Sequence, residues 1–312
     1  MSDIVSGLAE VVPLSTEELI RLIRSAPMRY KVYLIPKRKQ GQFRTIAQPA
    51  REVKALQYWV MSNILAQFPI DQAATAYRNG RNIADNARPH AHGRFLLKLD
   101  FKDFFPSIQD TDFKRYLAAG SPSITDRDAE LLARILFWRP KGTRQLCLAI
   151  GAPSSPLLSN ILLYDFDREV SEFCSNLRVA YTRYADDLTF SAQTSNLLGE
   201  AEEMVTALCA RLHGPRLVLN REKTVRVSKK RSRKVTGLVL TNDGQVSLGR
   251  GAKRQIRASV HHFLLGKLNK EQAMSLRGML AYVNSVEPEY LNRLRAKYGD
   301  ESILRIQTFN LS

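Results

Sequence analysis

Two adjacent aspartates, Asp186 and Asp187, sit inside the stretch TRYADDLTFS, and a third carboxylate, Asp100, closes the run RFLLKLD. Carboxylates gathered in one place repel one another and cannot all stay ionised unless a cation neutralises them. Hard oxygen donors with room for phosphates and water suit Mg2+. Two such ions, with Mn2+ as a possible substitute, would activate an attacking hydroxyl and stabilise a leaving pyrophosphate, which is the chemistry of nucleotide polymerisation.

For that chemistry the chain must bring the three carboxylates together. Successive side chains of a regular strand point to opposite faces, so neighbouring aspartates can share a site only where the alternation breaks. Val179, Tyr181 and Tyr184 before the pair and Leu188, Thr189 and Phe190 after it predict strand, tight turn, strand, with the aspartates at the tip. RFLLKLDFKDFF predicts a buried strand ending near Asp100. A shared sheet would set its end beside that tip.

Other elements frame this centre. Ser15 and Glu18 form a capping box ahead of EELIRLIRSA, which Pro27 stops. RYKVYLIPKRKQGQFRTIAQP predicts a hairpin around Gly41, and Val53, Leu56, Val60, Ile64 and Phe68 mark an amphipathic helix. Further helices are expected from a Thr125 cap, from Ser155 as cap with Pro156 first in the helix, and around GEAEEMVTALCARLHG. RLVLN predicts a strand, and KVTGLVLTNDGQVSLG a hairpin turning at Asp243-Gly244. KRQIRASVHHFLLGKL, KEQAMSLRGMLAYVNSV and PEYLNRLRAKYG predict a helical end. The fold class is α+β.

Charge points to a polyanionic partner. The 312 residues carry 47 Lys and Arg against 30 Asp and Glu, a net charge of +17. The excess concentrates from Arg221 onward, where 19 basic residues face 7 acidic ones, so this end is the expected nucleic-acid surface. Cys147, Cys174 and Cys209 are odd in number and widely spaced, which fits core thiols in a reducing cytoplasm. Neither a secretory leader nor an apolar run long enough to span a membrane occurs.

YADD, Tyr184 to Asp187, resembles the Y-x-D-D box of reverse transcriptases, and LDFKDFFPS resembles their first catalytic aspartate with an aromatic residue five positions on. GAPSSPLLSN and LVLNREKT resemble the next elements in the same order. NARPH (Asn86 to His90) and VTG (Val235 to Gly237) match the two signatures that mark bacterial retron reverse transcriptases. The resemblance covers essentially the whole chain. It implies a right-hand polymerase fold: fingers over 1–95, an antiparallel palm with finger insertions over 96–245, and a helical basic thumb over 246–312. At this length it leaves no room for an appended RNase H or endonuclease domain.

The resemblance also implies roles. Asp100, Asp186 and Asp187 match the metal ligands, Asp186 binding more directly than Asp187, and the carbonyl of Phe101 completes one coordination sphere. Phe105 matches the aromatic gate that would clash with a 2′-OH, while one of Phe104 and Phe105 is plain core. Lys37 and Arg44 match the triphosphate-gripping pair, with Arg38 and Lys39 as competitors. Lys223 acts as general acid toward pyrophosphate, screens it, or is a solvated lysine. Gly151, Ala152 and Pro153 match the loop beneath template and nucleotide, although Ile150 stands where many relatives have Gln, so a side-chain amide contact is missing. Asn86 and His90 hold the RNA or the local loop. Val235, Thr236 and Gly237, with Arg250, Lys253, Arg254 and Arg257 of the basic helix, are the expected RNA contacts.

The implied partners are a cognate structured non-coding RNA serving as template and primer, its DNA product, deoxynucleoside triphosphates and an effector protein. The implied product is branched, RNA-linked single-stranded DNA (msDNA) used in anti-phage defence. Intron-encoded or diversity-generating reverse transcriptases fit NARPH and VTG less well, and a non-catalytic RNA-binding scaffold would have no need of three converging carboxylates.

Overall fold

The strands expected around Asp100 and the Asp186-Asp187 pair form, and they form one sheet. In the computed structural model, which describes residues 3–37, 41–120 and 124–310, β1 (Tyr30–Pro36) and β2 (Phe43–Pro49) make an antiparallel hairpin from the Tyr30–Pro49 pair to the Pro36–Phe43 pair. Four further strands, β3 (Phe95–Asp100), β4 (Ala180–Tyr184), β5 (Asp187–Ala192) and β6 (Val225–Ser228), build an antiparallel sheet in the order β4-β5-β3-β6. A third sheet holds β7 (Arg233–Val235), β8 (Leu238–Leu240) and β9 (Val246–Ser247).

Helices cover these sheets with their apolar faces. The Thr16–Ser25 helix opens on the expected capping box, the Ser15 backbone N–H donating to Glu18 at 2.9 Å, and buries Leu19, Leu22 and Ile23. The Arg51–Asn63 helix buries Val53, Leu56 and Val60, and the chain then tightens into a 3-10 turn at Leu65–Gln67. Thr125 caps Asp126–Leu136 as expected. Four helices close the chain: Gly249–Leu264, Lys270–Val286, Pro288–Tyr298 and Asp300–Gln307.

Two hydrophobic interiors result, and β3 serves both. Leu97 and Leu99 face the larger one with Phe101, Leu188 and Phe190. Leu96 faces the other, together with Ala84, Ala87, Val235, Leu238, Leu240 and the terminal helices. That is strand alternation applied to a buried strand. The second interior takes residues from both sides of the expected 245/246 boundary.

Several expectations shift. Arg216–Asn220 is not a strand; one bridge, Phe101 to Leu219, is all that pairs it. The pairing that RLVLN lacks is supplied by the four-residue β6, whose Val225 and Arg226 are exposed at the sheet edge. Ser155 is not a cap: Pro153 already has helical angles (φ −67, ψ −27), so Ser155 lies fully buried within Ser154–Leu162. The VTG segment turns a hairpin of its own, with Thr236 at φ 47 and Gly237 at φ 86 between β7 and β8. No described helix is long and apolar enough to cross a membrane.

Candidate active site

The YADD hairpin is a two-residue turn. Tyr184 pairs with Asp187, and Ala185 (φ 57) and Asp186 make the connection. The two aspartates are therefore not equivalent. Asp186 occupies the turn, and its carbonyl accepts from the Phe101 N–H at 3.0 Å, clipping the tip to the residue after Asp100. Asp187 begins β5 directly opposite Asp100.

Electrostatics follow this crowding. Burial pushes the Asp186 carboxyl above the ordinary carboxylate range, and the Asp100 charge adds to it. Asp187 also moves up, first through burial; the attraction of Lys98 opposes the shift, while the charge of Asp100 and a shared hydrogen bond reinforce it. The cation at the centre is Lys223, whose Nζ lies 2.7 and 2.9 Å from the two oxygens of Asp100. Burial lowers the Lys223 pKa most, but the hydrogen bond to Asp100 and the three aspartate charges together leave it raised. The loop carrying Lys223 is zipped to the end of β3, with Asn220 N–H donating to Asp100 O at 2.7 Å and Lys102 N–H to Val218 O at 2.8 Å. Among the described residues no three His, Cys, Asp or Glu side chains form a ready-made metal cage. A donor set of carboxylates, compensated only in part by Lys223 and Lys98, fits a hard divalent cation.

The hairpin is braced from beneath by residues that sequence reasoning missed. Arg183 and Asp167 are both fully buried and meet through Nε (2.8 Å) and Nη2 (2.5 Å), while Arg183 Nη1 donates to the carbonyl of Ala185 at 3.1 Å. Tyr181 Oη donates to the same carboxylate at 2.8 Å. The available signal was an arginine among the strand-forming residues of AYTRY, a position that demands a partner if it is buried.

The NARPH signature does a related job. His90 is fully buried, with Nδ1 2.9 Å from Ser191 Oγ on β5 and Nε2 2.8 Å from Thr182 Oγ1 on β4. Asn86 Oδ1 accepts from Thr75 Oγ1 at 2.9 Å. Burial pushes the imidazole down to about 3, so the ring is neutral. Asn86, His90 and Val235 are enclosed, so direct RNA contact has no surface to work from at these side chains; they hold the local structure instead. Thr236 is half-buried and donates to Ile83 O at 3.0 Å, and Gly237 is exposed.

In the expected thumb, Arg250, Arg254 and Arg257 are exposed along Gly249–Leu264. Lys253 is not free for a phosphate: it is paired with Glu287 at 2.6 Å and lies over the Tyr290 ring. Phe104 is the core member of the aromatic pair, stacked on Phe101 with centroids 5.8 Å apart, which leaves Phe105 half-buried at the surface. Lys37 and Arg44 are exposed, one just past β1 and the other on β2, and Lys37 N–H donates to Gln42 O at 2.7 Å. Arg38 and Lys39 lie outside the described residues. Gly151 (φ 118) sits so close to β2 that a Cβ would stand 3.1 Å from Ala47 O, and Ile150 O accepts from Ala47 N–H at 2.8 Å. Ala152 is buried against the same strand, and Pro153 is half-buried.

Comparison with known proteins agrees with this geometry. Residues 35–240 match the family model described as reverse transcriptase (RNA-dependent DNA polymerase). The chain is 41% identical over 292 residues to the retron Ec83 reverse transcriptase of Escherichia coli, covering 93% of each chain. It is 32% identical to the retron Ec86 reverse transcriptase of Escherichia coli, covering 96% of this chain and 92% of that one. Among solved structures, telomerase from Candida albicans in complex with a TWJ fragment of telomeric RNA superposes with a TM-score of 0.52 at 15% identity. That match spans 89% of this chain and 58% of the telomerase, and it speaks to the right-hand fold alone. With three carboxylates at the junction of β3 and the YADD turn, and with these relatives, the chain belongs to the bacterial retron reverse transcriptases and is an RNA-directed DNA polymerase of msDNA synthesis.

Proposed function

We propose that this enzyme copies a structured non-coding RNA encoded beside its own gene, starting from a 2′-OH on an internal guanosine, into branched RNA-linked single-stranded DNA. The observation that carries the catalytic part is the register of Asp100 against Asp187, with Asp186 clipped to Phe101 beside them. Asp100, Asp186, Asp187 and the Phe101 carbonyl would hold two Mg2+ ions, with Mn2+ as a substitute. Bound there, the ions would lower the pKa of the attacking hydroxyl and neutralise the leaving pyrophosphate. Lys223 already supplies positive charge at Asp100 and would screen the pyrophosphate. Arg44 and Lys37 grip the triphosphate, Phe105 reads the sugar, and the Gly151–Pro153 loop supports the nascent pair. Arg250, Arg254 and Arg257 follow the duplex by its backbone. The setting is cytoplasmic, and the product serves anti-phage defence with an effector protein.

The test is to incubate purified protein with the RNA flanking the gene and deoxynucleotides. Asp186→Ala and Asp187→Asn abolish DNA synthesis while RNA binding, measured by filter retention, persists, because the thumb surface is untouched. Full synthesis by the double variant would sink the carboxylate assignment.

A further inference from the structure

Tyr77 has no part in the roles above, yet its placement is unusual. The residue is 49% exposed, and its backbone is left-handed at φ 60, a conformation that bulky side chains rarely adopt. A left-handed tyrosine persists only where its surroundings hold it. Here they do. Thr75 N–H donates to Arg183 O at 2.9 Å and Arg183 N–H to Ala73 O at 2.7 Å, welding this segment to the outer edge of β4. Asn160 Nδ2 donates to Ala76 O at 2.9 Å, and Arg78 Nη1 to Asp71 O at 2.9 Å. The residues on both sides of Tyr77 are thus fixed, and the ring is delivered to Tyr184, 6.4 Å away between centroids and tilted by 34°.

The position across the sheet indicates what the ring meets. Following β4-β5-β3-β6, Tyr184 with Tyr77 outside it lies on the β4 side of the aspartates, and Lys223 reaches Asp100 from the other side, where its loop pairs with the end of β3. With Lys223 attending the incoming nucleotide, the two tyrosines face the other reactant. Burial pushes the Tyr77 hydroxyl above its ordinary range, and the charge of Asp186 adds to it.

We propose that Tyr77 is a positioning residue which, with Tyr184, forms an aromatic floor for the terminal base pair of primer and template. This rests on reading the centre as the polymerase site. Aromatic side chains hold nucleobases without regard to sequence, as an enzyme that moves along its template requires. The rigid backbone means the floor is set before the duplex arrives, which keeps the terminal hydroxyl in line with Asp186.

Steady-state extension of a DNA primer annealed to an RNA template tests this with Tyr77→Ala, Tyr77→Phe and Tyr77→Trp. Tyr77→Ala is expected to raise the KM for primer–template by roughly tenfold, to leave the KM for deoxynucleotide unchanged, and to extend mismatched ends relatively better; Tyr77→Phe restores all three. Unaltered primer–template KM in Tyr77→Ala, or a change confined to the deoxynucleotide KM, overturns the proposal. Circular dichroism melts identify a folding defect. In that event Tyr77→Trp decides: without nucleotides, its extra fluorescence over the parent is quenched by the duplex if the floor exists and unchanged if it does not. Because that readout needs no catalysis, an inactive parent would count against the polymerase reading and leave the Tyr77 result separate.

Discussion

Arg183 and Asp167 form a fully buried ion pair whose third nitrogen supports the carbonyl of Ala185, the left-handed residue in front of Asp186. Removing one partner strands a charge in the interior. Asp167→Ala is therefore expected to lower unfolding free energy by about 3–5 kcal/mol in urea titrations. The double replacement Asp167→Leu with Arg183→Met should recover much of that stability, since well-packed apolar pairs often replace buried ion pairs without loss. It should not recover DNA synthesis, because the Ala185 carbonyl still lacks its donor.

His90 predicts a pH dependence. Its folded-state pKa of about 3 lies below the ordinary 6.5, so between those values the unfolded chain binds a proton that the folded one does not. The stability associated with the neutral ring is complete above about pH 6.5 and is lost as pH falls toward 3, by at most roughly 1.4 kcal/mol per pH unit. Urea midpoints at pH 7 and pH 5 should therefore differ more in the parent than in His90→Gln. Equal differences would show that the ring does not carry the effect.

Gly151 permits the contact between the palm loop and β2. An alanine there would need φ near 118 and would press its Cβ against Ala47 O and Ile46 Cγ2, both at 3.1 Å. Gly151→Ala should cost about 1–3 kcal/mol and reduce deoxynucleotide affinity, read as a raised KM with RNA binding intact.

Phe105, half-buried beside the core ring of Phe104, is expected to exclude ribonucleotides. Phe105→Val should admit them, measured as the ratio of kcat/KM for deoxy- and ribonucleotide. An unchanged ratio would place the sugar gate elsewhere.

The sequence disclosed the parts of this site that rest on local rules. Strand alternation and turn chemistry foretold that Asp100 would meet the YADD tip, and the capping residues located the Thr16–Ser25 and Asp126–Leu136 helices. Pairing across the fold was not legible. Asp167 and Arg183 lie on different elements, and no periodicity joins them. Likewise, the sequence left Asn86 and His90 open between holding the RNA and holding the local loop, and only the hydroxyls of Thr75, Thr182 and Ser191 closing around them decide for the loop. Strand β6 escaped notice because its apolar–polar alternation, Val225 to Ser228, is only four residues long and runs directly into the basic stretch KKRSRK.

Strand β3 acts as an alignment gauge for the chemistry. Leu96 fits one interior while Leu97 and Leu99 fit the other, and Asp100 follows in the same count. A slip by a single residue would exchange the occupants of both interiors and carry Asp100 away from Asp187. Misregistered chains are thus penalised by hydrophobic mismatch before any nucleotide binds, and the accuracy of carboxylate placement is inherited from the packing of leucines that never touch a substrate.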